Sequence, residues 1–129
     1  MKKRKHIIHP SEAETYTPPR YKNTLNYRLS GKGGIITENL EIVLGMLKLG
    51  GEAEYHFHPN SEQAIFVLAG ECAVETQDGI KENASKDDLV ILPKGLGHRI
   101  VVTSEILRVL VTYSPKLGEN DIIPIHNNQ

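Results

Sequence analysis

The sequence predicts an all-β domain, a sandwich or closed barrel of the jelly-roll type with an extended N-terminal arm. Three observations predict it. Short runs rich in Val, Ile and Leu recur at intervals of about ten residues. Glycine or polar turn residues stand between them. No stretch sustains helical periodicity with caps, which leaves sheet as the regular structure and a closed or double-layered sheet as its natural form.

In chain order, residues 1–24 read as the arm and 25–129 as the barrel domain. The arm is polar and carries Pro10, Pro18 and Pro19, which disfavour a helix; Tyr16 and Tyr21 need a surface to bury against, on this domain or on a partner subunit. A strand is expected near 25–29, followed by runs at 40–49, 53–58, 63–68, 71–76, 88–92, 97–102 and 105–113, about eight strands in all. The breaks are Gly31 to Gly34, Gly50-Gly51, Pro59-Asn60, Gly70, Asp78-Gly79 and Pro93 to Gly97. Asp78-Gly79 reads as a two-residue hairpin turn. There is neither an internal repeat nor a low-complexity tract.

Composition bounds the function. The 129 residues, 39% hydrophobic, suit one domain able to bury roughly two thirds of its surface without disulfides. Cys72 is the only cysteine, so disulfide frameworks and thiolate-rich metal sites are excluded; alternating with Val74, it reads as a buried thiol. Fifteen Lys+Arg against 16 Asp+Glu argue against nucleic acid as partner. The run Lys2, Lys3, Arg4, Lys5 precedes no apolar stretch of export-signal length and reads as a solvated terminus. No window reaches the roughly 20 apolar residues of a membrane span, and a cytoplasmic location is expected.

Of six histidines, His6, His9 and His126 lie in polar ends. His56 and His58 sit two apart in an apparent strand, so both rings project from one face about 7 Å apart and can reach one ion. Further ligands are offered by Glu62 or Gln63 after the Pro59-Asn60-Ser61 turn, and by His98.

Gly50, five residues, His56-Phe57-His58, then a run to Gly70, followed later by Pro93-Lys94-Gly95-Leu96-Gly97-His98, closely resemble the two motifs of the cupin superfamily. The first family motif is glycine, five residues, His-x-His, three or four residues, Glu, six residues and glycine. The second is Pro-x-Gly, two residues and His. The resemblance covers residues 50–102 and implies a conical jelly roll of six to eight strands holding a metal through His56, His58, an oxygen ligand from the next strand, and His98.

The departure lies at the oxygen ligand, where counting back from Gly70 puts Gln63 in the family's glutamate position. Glu62 fits the spacing after His58 but not the spacing to Gly70. Gln63, Ile65 and Val67 share one strand face, and the residue matching Val67 points inward in the family, which favours Gln63 with Glu62 outside. A glutamine is a neutral ligand, so a three-histidine, one-glutamine site leaves a divalent charge uncompensated and favours Lewis-acid chemistry. Iron or zinc is the favoured metal, with manganese, nickel and cobalt also compatible.

Parity supplies the remaining candidates. Glu54 should share the face of His56 and act as a general base within the cavity or as an acid standing behind the metal ligands. Ile65, Val67 and Ile100 should wall an apolar pocket. Arg108, if its face is interior, would anchor a substrate carboxylate. Tyr55 and Phe57 point away from the histidines, and their cover by the arm or another subunit implies a homodimer. The reading is a metal-dependent cupin enzyme acting on a small organic acid, carbohydrate or carbonyl substrate by isomerase- or lyase-like chemistry. A non-catalytic small-molecule-binding cupin and a metal-dependent dioxygenase are its alternatives.

Overall fold

The computed structural model describes residues 6–19, 21–31, 33–118 and 121–125. The basic run Lys2 to Lys5 and His126 lie outside the described residues. A single 3-10 turn at Pro10–Glu12 opens the described chain; it is followed by β1 (Glu14–Tyr16), β2 (Tyr21–Arg28), β3 (Glu41–Phe57), β4 (Glu62–Ala69) and β5 (Glu71–Thr76). The remaining strands are β6 (Lys81–Ser85), β7 (Leu89–Leu92), β8 (His98–Val102), β9 (Ile106–Ser114) and β10 (Ile123–Pro124). Among the described residues no helix is long and apolar enough to cross a membrane.

The strands form one antiparallel, nearly closed barrel in the order β6-β5-β8-β3-β9-β4-β7, with β1, β2 and β10 off this path. The seam lies between β6 and β7. β3 joins the two halves: Glu41 to Lys48 pair with β9, and Glu52 to His56 pair with β8. A strand that passes from one sheet to the other must bend, and a bulge with glycine supplies the bend. Gly50 takes φ +86° there, in the left-handed region that costs glycine little. The Gly50-Gly51 pair, expected to separate two strands, therefore bends one strand of 17 residues.

The alternation of buried and exposed positions fixes what faces inward. Leu107 and Val109 on β9, Ile65 and Val67 on β4, Cys72 and Val74 on β5, and Ile100 and Val102 on β8 meet Leu47 and Ala53 of β3 in one core. At roughly 25 cal/mol per Å² of apolar area removed from water, this contiguous cluster is the main source of stability in a chain without disulfides. The Asp78-Gly79 hairpin is present, with Gly79 at φ +91°, but the connection between β5 and β6 is longer than two residues: Glu75 pairs with Lys81, and Thr76 N–H donates to Ile80 O at 2.9 Å. β6 was not foreseen, because KENAS carries a single buried residue, Ala84, and no apolar alternation.

The N-terminal segment lies along its own domain. β1 pairs with β2, and β2 pairs with β3 across the same stretch that bears the histidines' approach, with Tyr21 opposite Ala53. The strand expected near residue 25 thus begins at Tyr21. The C-terminal β10 pairs Ile123 with Phe57 and Pro124 with His56, and Ile125 N–H donates to Tyr55 O at 3.0 Å. Tyr55 and Phe57 are half-buried beside this strand.

Candidate metal centre

Two strands deliver the histidines. His56 is the last residue but one of β3, His58 directly follows that strand, and His98 opens β8 across from His56 in the ladder. All three are at least 97% buried, at 1%, 3% and 1% exposure. Their ring centroids lie 4.4 Å (His56 to His98), 4.9 Å (His56 to His58) and 5.4 Å (His58 to His98) apart. Each can present one ring nitrogen so that all three nitrogens lie within 4.8 Å of one another.

The backbone sets the protonation of each ring. His56 Nδ1 bonds to Glu54 O at 2.6 Å, His58 Nδ1 to Asp121 O at 2.8 Å, and His98 Nδ1 to Leu96 O at 3.1 Å. A carbonyl oxygen only accepts, so each Nδ1 carries the hydrogen and each Nε2 presents a lone pair. Burial pushes His56 down to about 4 and His98 down to about 3, and lowers His58 as well, so the rings are neutral at physiological pH.

The fourth polar group is Gln63. Its side chain is 3% exposed, it faces His58, and its Nε2 donates to Tyr113 Oη at 3.3 Å. Its Oε1 and the Nε2 atoms of His56, His58 and His98 are all buried, and none has a hydrogen-bond partner. Four acceptors gathered without a donor repel one another, and each unpaired buried group carries a cost of about 1–3 kcal/mol. A cation among them removes that cost, and imidazole nitrogen with an amide oxygen is a donor set suited to divalent transition metals. The three buried histidines thus fit a metal ion on their own geometry, with the Gln63 amide beside His58. Glu62 stands one residue away on the exposed face.

Below the cluster lies a cavity of about 40 Å³, lined by Tyr21, Gln63 and Tyr113 together with Ala53, Ile65, Ile100 and further apolar side chains. No charged residue lines it. The Tyr21 and Tyr113 hydroxyls hydrogen-bond to each other, the Tyr21 ring lies 5.9 Å from that of His56, and the Tyr113 ring lies 5.2 Å from that of His58. Burial raises Tyr21 to about 12 and Tyr113 upward too, so both phenols keep their protons.

The structure brings His56, His58, Gln63 and His98 together, with Ile65, Val67 and Ile100 in the adjoining core. Two expected residues lie elsewhere. Glu54 does not share the face of His56, because a register shift between Ala53 and His56 changes the parity, and Ala53 is the inward residue. The Glu54 side chain lines an open outer groove with Glu52, Glu75 and Arg99; only its backbone oxygen serves the cluster. Arg108 is exposed, since Leu107, Val109 and Tyr113 occupy the inward face of β9. Tyr21, Tyr113 and the Asp121 carbonyl were not foreseen. Tyr113 was accessible by parity with Leu107 and Val109; no side-chain pattern announces a backbone acceptor.

A small antiparallel barrel with an internal three-histidine cluster able to hold a metal defines the class. The chain belongs to the cupin family: residues 43–113 match the family model described as a cupin domain. Among curated proteins it is 35% identical over 49 residues to the uncharacterized protein YdbB of Bacillus subtilis (strain 168), covering 38% of this chain and 43% of that protein. The chain thus aligns with less than half the length of that relative. Among solved structures, the polyketide cyclase RemF from Streptomyces resistomycificus superposes with a TM-score of 0.78 at 20% identity, covering 100% of this chain and 89% of RemF. KdgF from Halomonas sp. gives 0.69 at 21% identity, covering 82% and 91%. At these identities the likeness shows the fold.

Proposed function

We propose that this chain is a metal-dependent cupin acting on a small organic molecule, with the metal held by His56, His58, His98 and Gln63. The observation that carries the reading is the convergence of four buried acceptor atoms with no donor among them. Iron or zinc is the favoured ion, on the imidazole-plus-oxygen donor set. When bound, the metal supplies Lewis-acid polarisation of a carbonyl or hydroxyl oxygen, with no ligand carboxylate to offset its charge.

The chain's own residues define the rest. The Nδ1 bonds to Glu54, Leu96 and Asp121 hold the rings in the ligating tautomer. Ile65, Val67 and Ile100 keep water out. The uncharged cavity offers room for only a few non-hydrogen atoms, given that one water needs about 10–15 Å³. It offers phenol hydroxyls in place of a cationic anchor. These features favour a neutral carbonyl- or hydroxyl-bearing group at the inner end of the substrate, and isomerase- or lyase-like chemistry in which Tyr21 donates a hydrogen bond.

The test is metal content per chain, by mass spectrometry, on untagged protein purified without chelators. About one transition-metal ion per chain is expected, reduced in Gln63→Ala and unchanged in Glu62→Ala. Metal-free wild-type protein that takes up no added zinc, iron(II) or cobalt would overturn the reading.

A further inference from the structure

The Gln63 amide has two orientations, and they have opposite consequences. With Oε1 toward the histidines, a fourth ligand oxygen faces the cluster. Turned by half a rotation, the amide presents its NH₂ to the same imidazole lone pairs, supplies the missing donors and obstructs a cation. The amide ends are nearly equal in size, so packing alone selects neither. What stands at the other end of the amide is the Tyr113 hydroxyl, which accepts from Gln63 Nε2 at 3.3 Å.

A phenol has one hydrogen, and where that hydrogen goes decides which amide end it accommodates. Tyr113 Oη accepts from Gln63 Nε2 and shares its other hydrogen bond with the Tyr21 hydroxyl, which leaves its one hydrogen for Tyr21. A Tyr113 oxygen whose hydrogen is committed to Tyr21 turns only lone pairs toward Gln63. Only the NH₂ end then fits.

We propose that Tyr113 is a positioning residue for the metal centre: with its hydrogen directed to Tyr21, its oxygen holds the Gln63 amide so that the carbonyl oxygen faces His56, His58 and His98. This rests on the metal reading above and adds to it a residue from β9, backed by one from β2. The N-terminal strand thereby takes part in ligand orientation, although it lies off the barrel path.

The experiment is titration of Co²⁺ into metal-free full-length chain, read by visible absorption, for wild type, Tyr113→Phe, Tyr21→Phe, Gln63→Glu and the double variant Gln63→Glu/Tyr113→Phe. Tyr113→Phe should weaken Co²⁺ binding about tenfold or more and alter the absorption bands, as loss of a group that orients a ligand does. Tyr21→Phe should act in the same direction, because the freed Tyr113 hydrogen can then donate to a turned amide. In the Gln63→Glu background the effect of Tyr113→Phe should fall below about threefold, since a carboxylate presents oxygen in either orientation and needs no hydroxyl to choose. A purely structural role for Tyr113 would weaken binding equally in both backgrounds, and that result would overturn the inference. Wild-type binding with Tyr113→Phe and Tyr21→Phe both unaffected would overturn it while leaving the metal reading in place. Wild-type chain that binds no Co²⁺ overturns both. Far-UV circular dichroism separates a folded variant with weak binding from one that has unfolded, and the Tyr21→Phe comparison then decides.

Discussion

Acid should destabilise the metal-free chain through its histidine cluster, and the size of the effect follows from the burial of the rings. In the unfolded chain an imidazole titrates near 6.5. In the folded chain His56 is held down to about 4 and His98 down to about 3, chiefly because burial penalises the charged ring. Above pH 6.5 both states keep the rings neutral and this contribution is fully retained. As pH falls from 6.5 toward the folded values, the unfolded chain takes up protons that the folded chain refuses, and stability is lost. At pH 5 the gap spans about 1.5 pH units for each ring, or about 2 kcal/mol each at 1.36 kcal/mol per unit. The two together cost about 4 kcal/mol, a large part of the 5–15 kcal/mol typical of a whole domain. His58, also lowered, acts in the same direction. The assay is urea unfolding of chelator-treated protein at pH 7.5 and pH 5.0, for wild type and for His98→Asn. Wild type should lose about 4 kcal/mol or more between the two pH values, and the variant about 2 kcal/mol less than wild type. Equal pH dependence in the two proteins would refute the argument, because carboxylate titration is common to both.

Other outcomes follow from packing and exposure. Leu107→Ala, at a side chain 1% exposed in the core, should lower unfolding free energy by about 2–5 kcal/mol in urea titrations. Gly70→Ala should also destabilise the fold, because Gly70 has φ +88° and an added Cβ would meet the Ile106 carbonyl oxygen at 2.1 Å; differential scanning calorimetry should show a clear fall in Tm. Cys72 is 1% exposed and burial pushes its thiol up to about 11, so an aromatic disulfide reagent at pH 8 should label it only on unfolding. Arg108→Ala, at an exposed position outside the cavity, should leave stability within about 0.5 kcal/mol and metal content unchanged.

Much of the site was legible because antiparallel strands alternate strictly. Two-residue parity placed Gln63 with Ile65 and Val67, and His98 with Ile100 and Val102, and those residues do share the interior. The same rule failed for Glu54, since one register shift between Ala53 and His56 reverses every face beyond it. A bulge leaves little trace in a sequence that already contains two glycines, and Gly50-Gly51 were read as an interruption for the same reason. For Arg108 the alternation held, but alternation assigns residues to two faces without saying which is inside. Leu107 and Val109 decide that in the structure. β6 escaped notice because it is polar, and the Asp121 carbonyl because the chain supplies it through backbone geometry alone.

β3 has a consequence for how this chain comes into being. Its first half finds a partner in β9 and its second half in β8, both encoded more than 40 residues after β3 ends. Only β2 is available to it earlier. At synthesis rates of about 5–20 residues per second, β3 emerges and then spends several seconds with one edge bare before β8 and β9 are made. The histidine cluster shares that delay, because His98 arrives last and joins His56 only when the ladder closes. Such long-range pairing places the chain among slow folders, with assembly of the histidine cluster among the last events to complete.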